Sequence, residues 1–402
     1  MRTAAALALA TLVFAAPARA DTAQIDLFST LFYEFGGPLE MLVVNPAARV
    51  RANPIPELSL NLSYEADVVS GASVAVVDAP SADVDAITSA TRLDDFRSVV
   101  SGGLAVQSPV GTLRGGYAYG WESDYTSHSF NLGARTEAFE RNTTFDLSYA
   151  RGFDQVCNLA QPRAQDPVER RRLDVSDGCF DGNDPDRAAL DVSLQTFQGS
   201  WTQAWAPIFV TQLTVTGQLI DGFQSNPYRA VWLGRSAAQE HHPDNRFRYA
   251  ASLGARLWVE PLNGSIHAHV RAYRDNWDVR SITAQLSYEQ SIGGALRVRG
   301  HFRYYRQGAA AFFSDDYALR PRGQYFTGDR ELSDMESFMG GLSLVWALTP
   351  GTEGADLGPL SSFRLVLKAD YIHNEFPSFR YARARVPNVD AIVATLGLEM
   401  IF

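Results

Sequence analysis

Lysine is almost missing from this chain: Lys368 stands alone, and arginine supplies the rest of the 35 basic side chains. GC-rich coding accounts for that bias, and so does selection for the planar, always-charged guanidinium. Acidic residues outnumber basic ones and leave a net charge of −10, which speaks against nucleic acid as a partner. No run of about eighteen apolar residues follows the first twenty positions, so a helical membrane protein is excluded. A transmembrane β-barrel escapes that exclusion, because each strand needs only about 9–11 residues and half of them face water. Cysteine is scarce as well. Cys157 and Cys179 fall in one charged, turn-rich stretch read as a loop over 153–189. In an exported chain two such thiols form a disulfide, and they lack the ligand-spaced neighbours of a metal site.

Export is legible at the start. Arg2, an apolar run from Ala4 to Ala16 and the small-residue end Ala18-Arg19-Ala20 make residues 1–20 a signal peptide cleaved before Asp21. No cysteine follows the cut, which removes a lipid anchor. Residues 21–402 then read as one domain, since no linker divides them.

What is abundant is alternation. Leu296, Val298, Gly300, Phe302 and Tyr304 interleave with Arg297, Arg299, His301, Arg303 and Tyr305. Successive strand side chains point to opposite faces, so this period of two puts an apolar stripe on one side and a cationic one on the other. The pattern recurs along the chain and predicts an all-β fold: a transmembrane antiparallel barrel of about sixteen strands with long outer loops. Short links such as Val259-Glu260-Pro261-Leu262 alternate with long ones, and two termini on one side require an even count. Phe402, Met400, Leu398 and Leu396 share the outward face of the last strand. A terminal Phe on such a strand resembles the signal read by the outer-membrane assembly machinery. The expected location is the outer membrane of a Gram-negative bacterium, with its lipid and that machinery as partners.

The predicted inner wall collects Arg114, Arg135, Arg246, Arg248, Arg256, Arg271, Arg297, Arg299, Arg303 and Arg364. Such a wall attracts anions. Alternatively, these arginines pair with inward Glu65, Glu122, Asp146, Glu289, Asp370 and Glu399 and stiffen the interior. His267, His269 and His301 have strand spacing suited to a metal, yet histidines in a polar lumen need none, and no metal is expected. His241-His242 with Asp244 suggests outer-membrane hydrolase chemistry without an identifiable nucleophile, so the protein is not read as an enzyme. The run Asp174, Asp177, Asp181, Asp184, Asp186 lacks calcium-loop spacing and reads as a solvated acidic loop.

After the third strand one phrase occurs twice: Asp67-Val-Val-Ser-Gly-Ala-Ser73 and Asp85-Ala-Ile-Thr-Ser-Ala-Thr91. It resembles the acceptor motif of bacterial flavin transferases, which would place covalent FMN on Ser73 or Thr91 with Asp67 and Asp85 orienting the backbone. Ser/Gly/Ala/Asp strings are also ordinary turn formers. Together with Tyr64-Glu65-Ala66-Asp67, Glu122-Ser-Asp-Tyr125, Asn226-Pro-Tyr-Arg229, Asp275-Asn-Trp-Asp278 and Phe302-Arg-Tyr-Tyr-Arg-Gln307, the chain resembles a bacterial family, domain of unknown function number three thousand five hundred and seventy. The resemblance implies an outer-membrane barrel, with a flavin transferase or a thioredoxin-like protein as partners. Three functions stand: a non-enzymatic channel or scaffold first, a flavin-bearing redox component second, a hydrolase third.

Overall fold

The computed structural model describes residues 23–402 except 37–39, 72–73, 79–84, 90–94, 123, 160–179, 181–186, 228–229, 233–236, 316, 318–322, 350–356, 382–383 and 386–387. Residues 1–20, read from the sequence as a signal peptide, lie outside the described residues. Sixteen antiparallel strands close into one barrel. In chain order they are β1 (Ala23–Phe35), β2 (Met41–Ile55), β3 (Leu58–Gly71), β4 (Asp95–Ser108), β5 (Gly111–Trp121), β6 (Tyr125–Ala138), β7 (Thr143–Leu159) and β8 (Arg187–Ala206). The series continues with β9 (Phe209–Gly222), β10 (Asn245–Val259), β11 (Gly264–Asp275), β12 (Arg280–Ile292), β13 (Leu296–Gln307), β14 (Met335–Leu348), β15 (Ser362–Glu375) and β16 (Val389–Ile401). Every neighbour in sequence is a neighbour in space. Pairing of β1 with β16 closes the ring, so no edge is left to seek another chain.

The expected register holds. Phe302, Leu286 and Leu342 lie on one face of β13, β12 and β14, 52%, 58% and 61% exposed, as side chains bound for lipid must be. Arg299 of β13 and Glu289 of β12 are partners on the other face. An arginine at the bilayer midplane costs about 2–4 kcal/mol on the outer face of a barrel, and a one-residue slip would put several there.

Loops differ by end. At the end of the termini most links are short: 56–57, 109–110, 139–142, 207–208, 260–263 and 293–295. Of the long ones, 72–94, 160–186, 223–244, 308–334 and 376–388 lie at the opposite end, and 349–361 lies at the end of the termini. One boundary departs from expectation. Cys157 lies on a strand, since the ladder between β7 and β8 runs from Gln203↔Thr143 to Arg187↔Leu159 and pairs Cys157 with Ala189. Above the bilayer both faces of a strand meet water, so its hydrophobic alternation fades while its backbone pairing continues. Cys157 is fully buried and disulfide-bonded; Cys179 lies outside the described residues, as does the acidic run Asp174–Asp186.

Candidate functional site

At the long-loop end the inner wall is packed and its charges are matched. Asp275, the last residue of β11, is buried, and its Oδ2 accepts from Arg246 Nε at 2.8 Å and Nη2 at 2.6 Å. Tyr273 donates its hydroxyl to the same oxygen, while Oδ1 accepts the backbone N–H groups of Trp277 and Val279. The Arg246 guanidinium lies 4.0 Å from the Trp277 ring centroid, a stacked cation–π contact. One carboxylate thus shapes the β11–β12 turn and holds an arginine of β10. This is the structural content of the phrase Asp275-Asn-Trp-Asp278.

The segment 308–334, read from the sequence as a plain loop, turns into the barrel mouth. Gln307 Nε2 donates to Glu331 O at 2.6 Å and Ser333 O at 2.8 Å. Arg330 is paired with Glu34 of β1 at 3.2 Å and lies over the Phe376 ring. On its other flank Thr327 Oγ1 donates to Glu240 Oε2 at 2.7 Å, and His241 and Phe326 exchange two backbone bonds. The segment therefore reaches from the β9–β10 loop to β1, across the mouth. Beneath it, Phe32, Met41, Val43 and Ala391 form an inward apolar cluster, and Met335, Phe376 and Val389 another. The phrase ending in Gln307 is where this segment is anchored.

His242 belongs to the same packing. Its Nδ1 lies 3.0 Å from Gln224 O, Nε2 lies 3.4 Å from Glu240, and the ring meets Trp277 and Phe312. Among the described residues the His242 ring bonds no hydroxyl, so none of them completes a nucleophile with this histidine as its base. Next to the mouth, Asn45 bonds Glu65 and Asp67, Arg97 pairs with Asp67 and Glu122, and Tyr125 donates to Asp154. Glu65, Asp67, Glu122 and Tyr125, from two further family phrases, thus also sit at this end. Ser73 and Thr91 lie outside the described residues, and Asp85 is placed only as backbone in a small hairpin.

Deeper in the lumen the two readings of the arginines divide by region. Arg114 pairs with Asp146, Arg135 with Glu137 at 3.1 Å, and Arg364 with Glu399 at 3.3 Å. On β10–β13 the balance differs: Arg246, Arg248, Arg256, Arg271, Arg297, Arg299 and Arg303 face in, against two carboxylates, Asp275 and Glu289. Asp275 is committed to Arg246, and Glu289 to Arg299 at 2.5 Å with Arg297 at 4.0 Å. Arg248 donates to Gln218 at 3.0 Å. Arg271 approaches the Tyr273 ring, Arg256 stands across from His267, and Arg303 across from Gln285. The adjoining β8–β9 wall is neutral, with Thr196 bonded to Gln218 and Gln198 to Thr216. The histidines do not converge: His267 bonds Ser265, while His301 pairs with Asp370 on another strand at 2.9 Å.

Two glycines make matched pairs possible, and the sequence reading overlooked both. Gly341 lies between His301 and Asp370 in the register, and a Cβ there would meet Asp370 Oδ1 at 1.9 Å. Gly133 is crossed by the Arg114 side chain on its way from β5 to Asp146 on β7; a Cβ would lie 2.5 Å from Arg114 Nε. Each glycine is a window through which charges two strands apart meet. The available signal was a mid-strand inward glycine flanked by strands bearing opposite charges.

A closed sixteen-strand ring with an apolar exterior and a charged interior defines a transmembrane β-barrel of the outer-membrane type. The chain belongs to the family described as Protein of unknown function (DUF3570), whose model matches residues 2–356. No curated protein matches the sequence. Among solved structures, a bacterial polysaccharide outer membrane secretin is similar at 8% identity and TM-score 0.50, covering 96% of this chain and 100% of its own. OccK2 (OpdF) of Pseudomonas aeruginosa aligns at 9% identity and TM-score 0.43, covering 95% and 98% of the two chains. OprD of the same organism aligns at 7% and 0.41, covering 95% and 96%. These likenesses concern fold alone.

Proposed function

We propose that the protein is a non-enzymatic channel of the Gram-negative outer membrane whose lumen favours anionic solutes. The observation that carries this reading is the state of the inward arginines. Arg297, Arg299 and Arg364 keep 46%, 44% and 41% of their side-chain surface accessible, so the barrel encloses water rather than a packed core. A wall with more guanidinium than carboxylate, facing a water-filled space with low-dielectric walls, raises the local concentration of anions. The segment 308–334 lies over the mouth and narrows what can enter.

The test is a reversal potential in planar bilayers under a KCl gradient. Anion preference is expected, and the double variant Arg256→Glu/Arg271→Glu should move it toward cations. Cation preference in the unaltered protein, or no conductance at all, would refute the reading.

A further inference from the structure

Between the β11–β12 turn and the segment 308–334 lies an open cavity of about 520 Å³ at the long-loop end. Phe312 and Tyr325 stand on it with ring centroids 6.4 Å apart and planes at 61°, and Trp277 closes the inner side edge-on to Phe312 at 5.2 Å. The carboxamides of Asn245, Asn276 and Gln324 share the lining, and none of the described lining residues is an acid or a base.

The cavity is preorganised. The Tyr317 hydroxyl donates to Phe312 O at 2.6 Å and accepts from Thr327 N at 2.8 Å, tying the arm that carries Phe312 to the arm that carries Tyr325. Ala311 N bonds Trp277 O at 2.9 Å, which fastens the first arm to the β11–β12 turn. Asn276 is held by Phe247 N at its oxygen and gives one amide hydrogen to Asn245 Oδ1 at 3.1 Å. Among the described residues, the Gln324 side chain and the Asn245 amide nitrogen have no protein partner. Rigid aromatic faces beside unspent amide donors and acceptors cost little ordering when a ligand arrives.

We infer that this cavity binds a saccharide unit. The face of a pyranose ring presents polarised C–H groups that meet the electron-rich face of an aromatic ring, while its hydroxyls each need a donor or acceptor such as a carboxamide. The volume falls within the range of small-ligand sites.

The experiment titrates the full-length protein, held in a sugar-free zwitterionic detergent, with maltose, cellobiose, lactose and sucrose. Saturation-transfer NMR reads binding. Saturable binding of at least one disaccharide is expected. Tyr325→Ala and Gln324→Ala should each weaken binding at least tenfold, Tyr325→Phe should retain the stacking and most of the affinity, and heat-modifiable migration should confirm that each variant folds. No saturable binding to any of the four, or unchanged binding in both alanine variants, would overturn the inference. Ion selectivity in bilayers is read separately, so loss of either reading leaves the other standing.

Discussion

The mouth and the mid-lumen of this barrel use arginine in opposite ways. At the mouth Arg246 and Arg330 are buried, each matched to a buried carboxylate and stacked on an aromatic ring. In the mid-lumen Arg297 and Arg299 share one Glu289 and stay nearly half exposed. A buried guanidinium that loses its carboxylate leaves an uncompensated charge, whereas an exposed one is solvated by water and needs no partner. The same residue type is therefore structural at one level of the barrel and available to a passing solute at another.

The largest effect should come from breaking the mouth. Asp275→Ala strands the Arg246 charge and two backbone N–H groups, and should cost about 3–5 kcal/mol. Unfolding in detergent, followed by loss of heat-modifiable migration, measures it. By contrast Arg297→Ala, in the mid-lumen, should leave that transition within about 1 kcal/mol of the parent, as exposed pairs do. An equal loss in both variants would erase the distinction drawn between the two levels.

The glycine windows sharpen it further. Gly341→Ala pushes a methyl group into the path between His301 and Asp370, while at Gly340, facing outward, nothing lies within 4 Å of an added Cβ. The first substitution should destabilise by about 1–3 kcal/mol, as overpacking does, and the second should be neutral. Accessibility gives a third comparison: cysteine placed at 297 or 299 should react with a polar thiol reagent, and cysteine at 298 should not. Reaction at 298 would invert the register.

The smallest effect is on mass. Intact protein from its native membrane should begin at Asp21 and carry a disulfide; a mass higher by one or two FMN would make the stretch holding Ser73 and Thr91 a redox site. Strand order bears on that question, because the β3–β4 connection leaves the barrel at the end opposite the termini.

The barrel was legible in the sequence because bilayer and lumen impose a strict period of two on strands such as Leu296–Gln307, and turns such as Ser108-Pro109-Val110-Gly111 interrupt it. Where that constraint ends, legibility ends too: β7 runs on to Leu159 past the point at which alternation fades. The candidate site followed the same division. Which face of a strand an arginine occupies is set by local parity. Which of them are matched depends on partners two strands away, as with Arg114 and Asp146 across Gly133, or hundreds of residues away, as with Arg330 and Glu34. Sequence by itself determined the strands, their faces and the ring they close, because those follow from the solvent on each side of a pleated sheet. Only the tertiary structure decided that 308–334 enters the mouth and that aromatic and amide side chains from two connections and the start of β10 meet there, because no local period records contacts between loops.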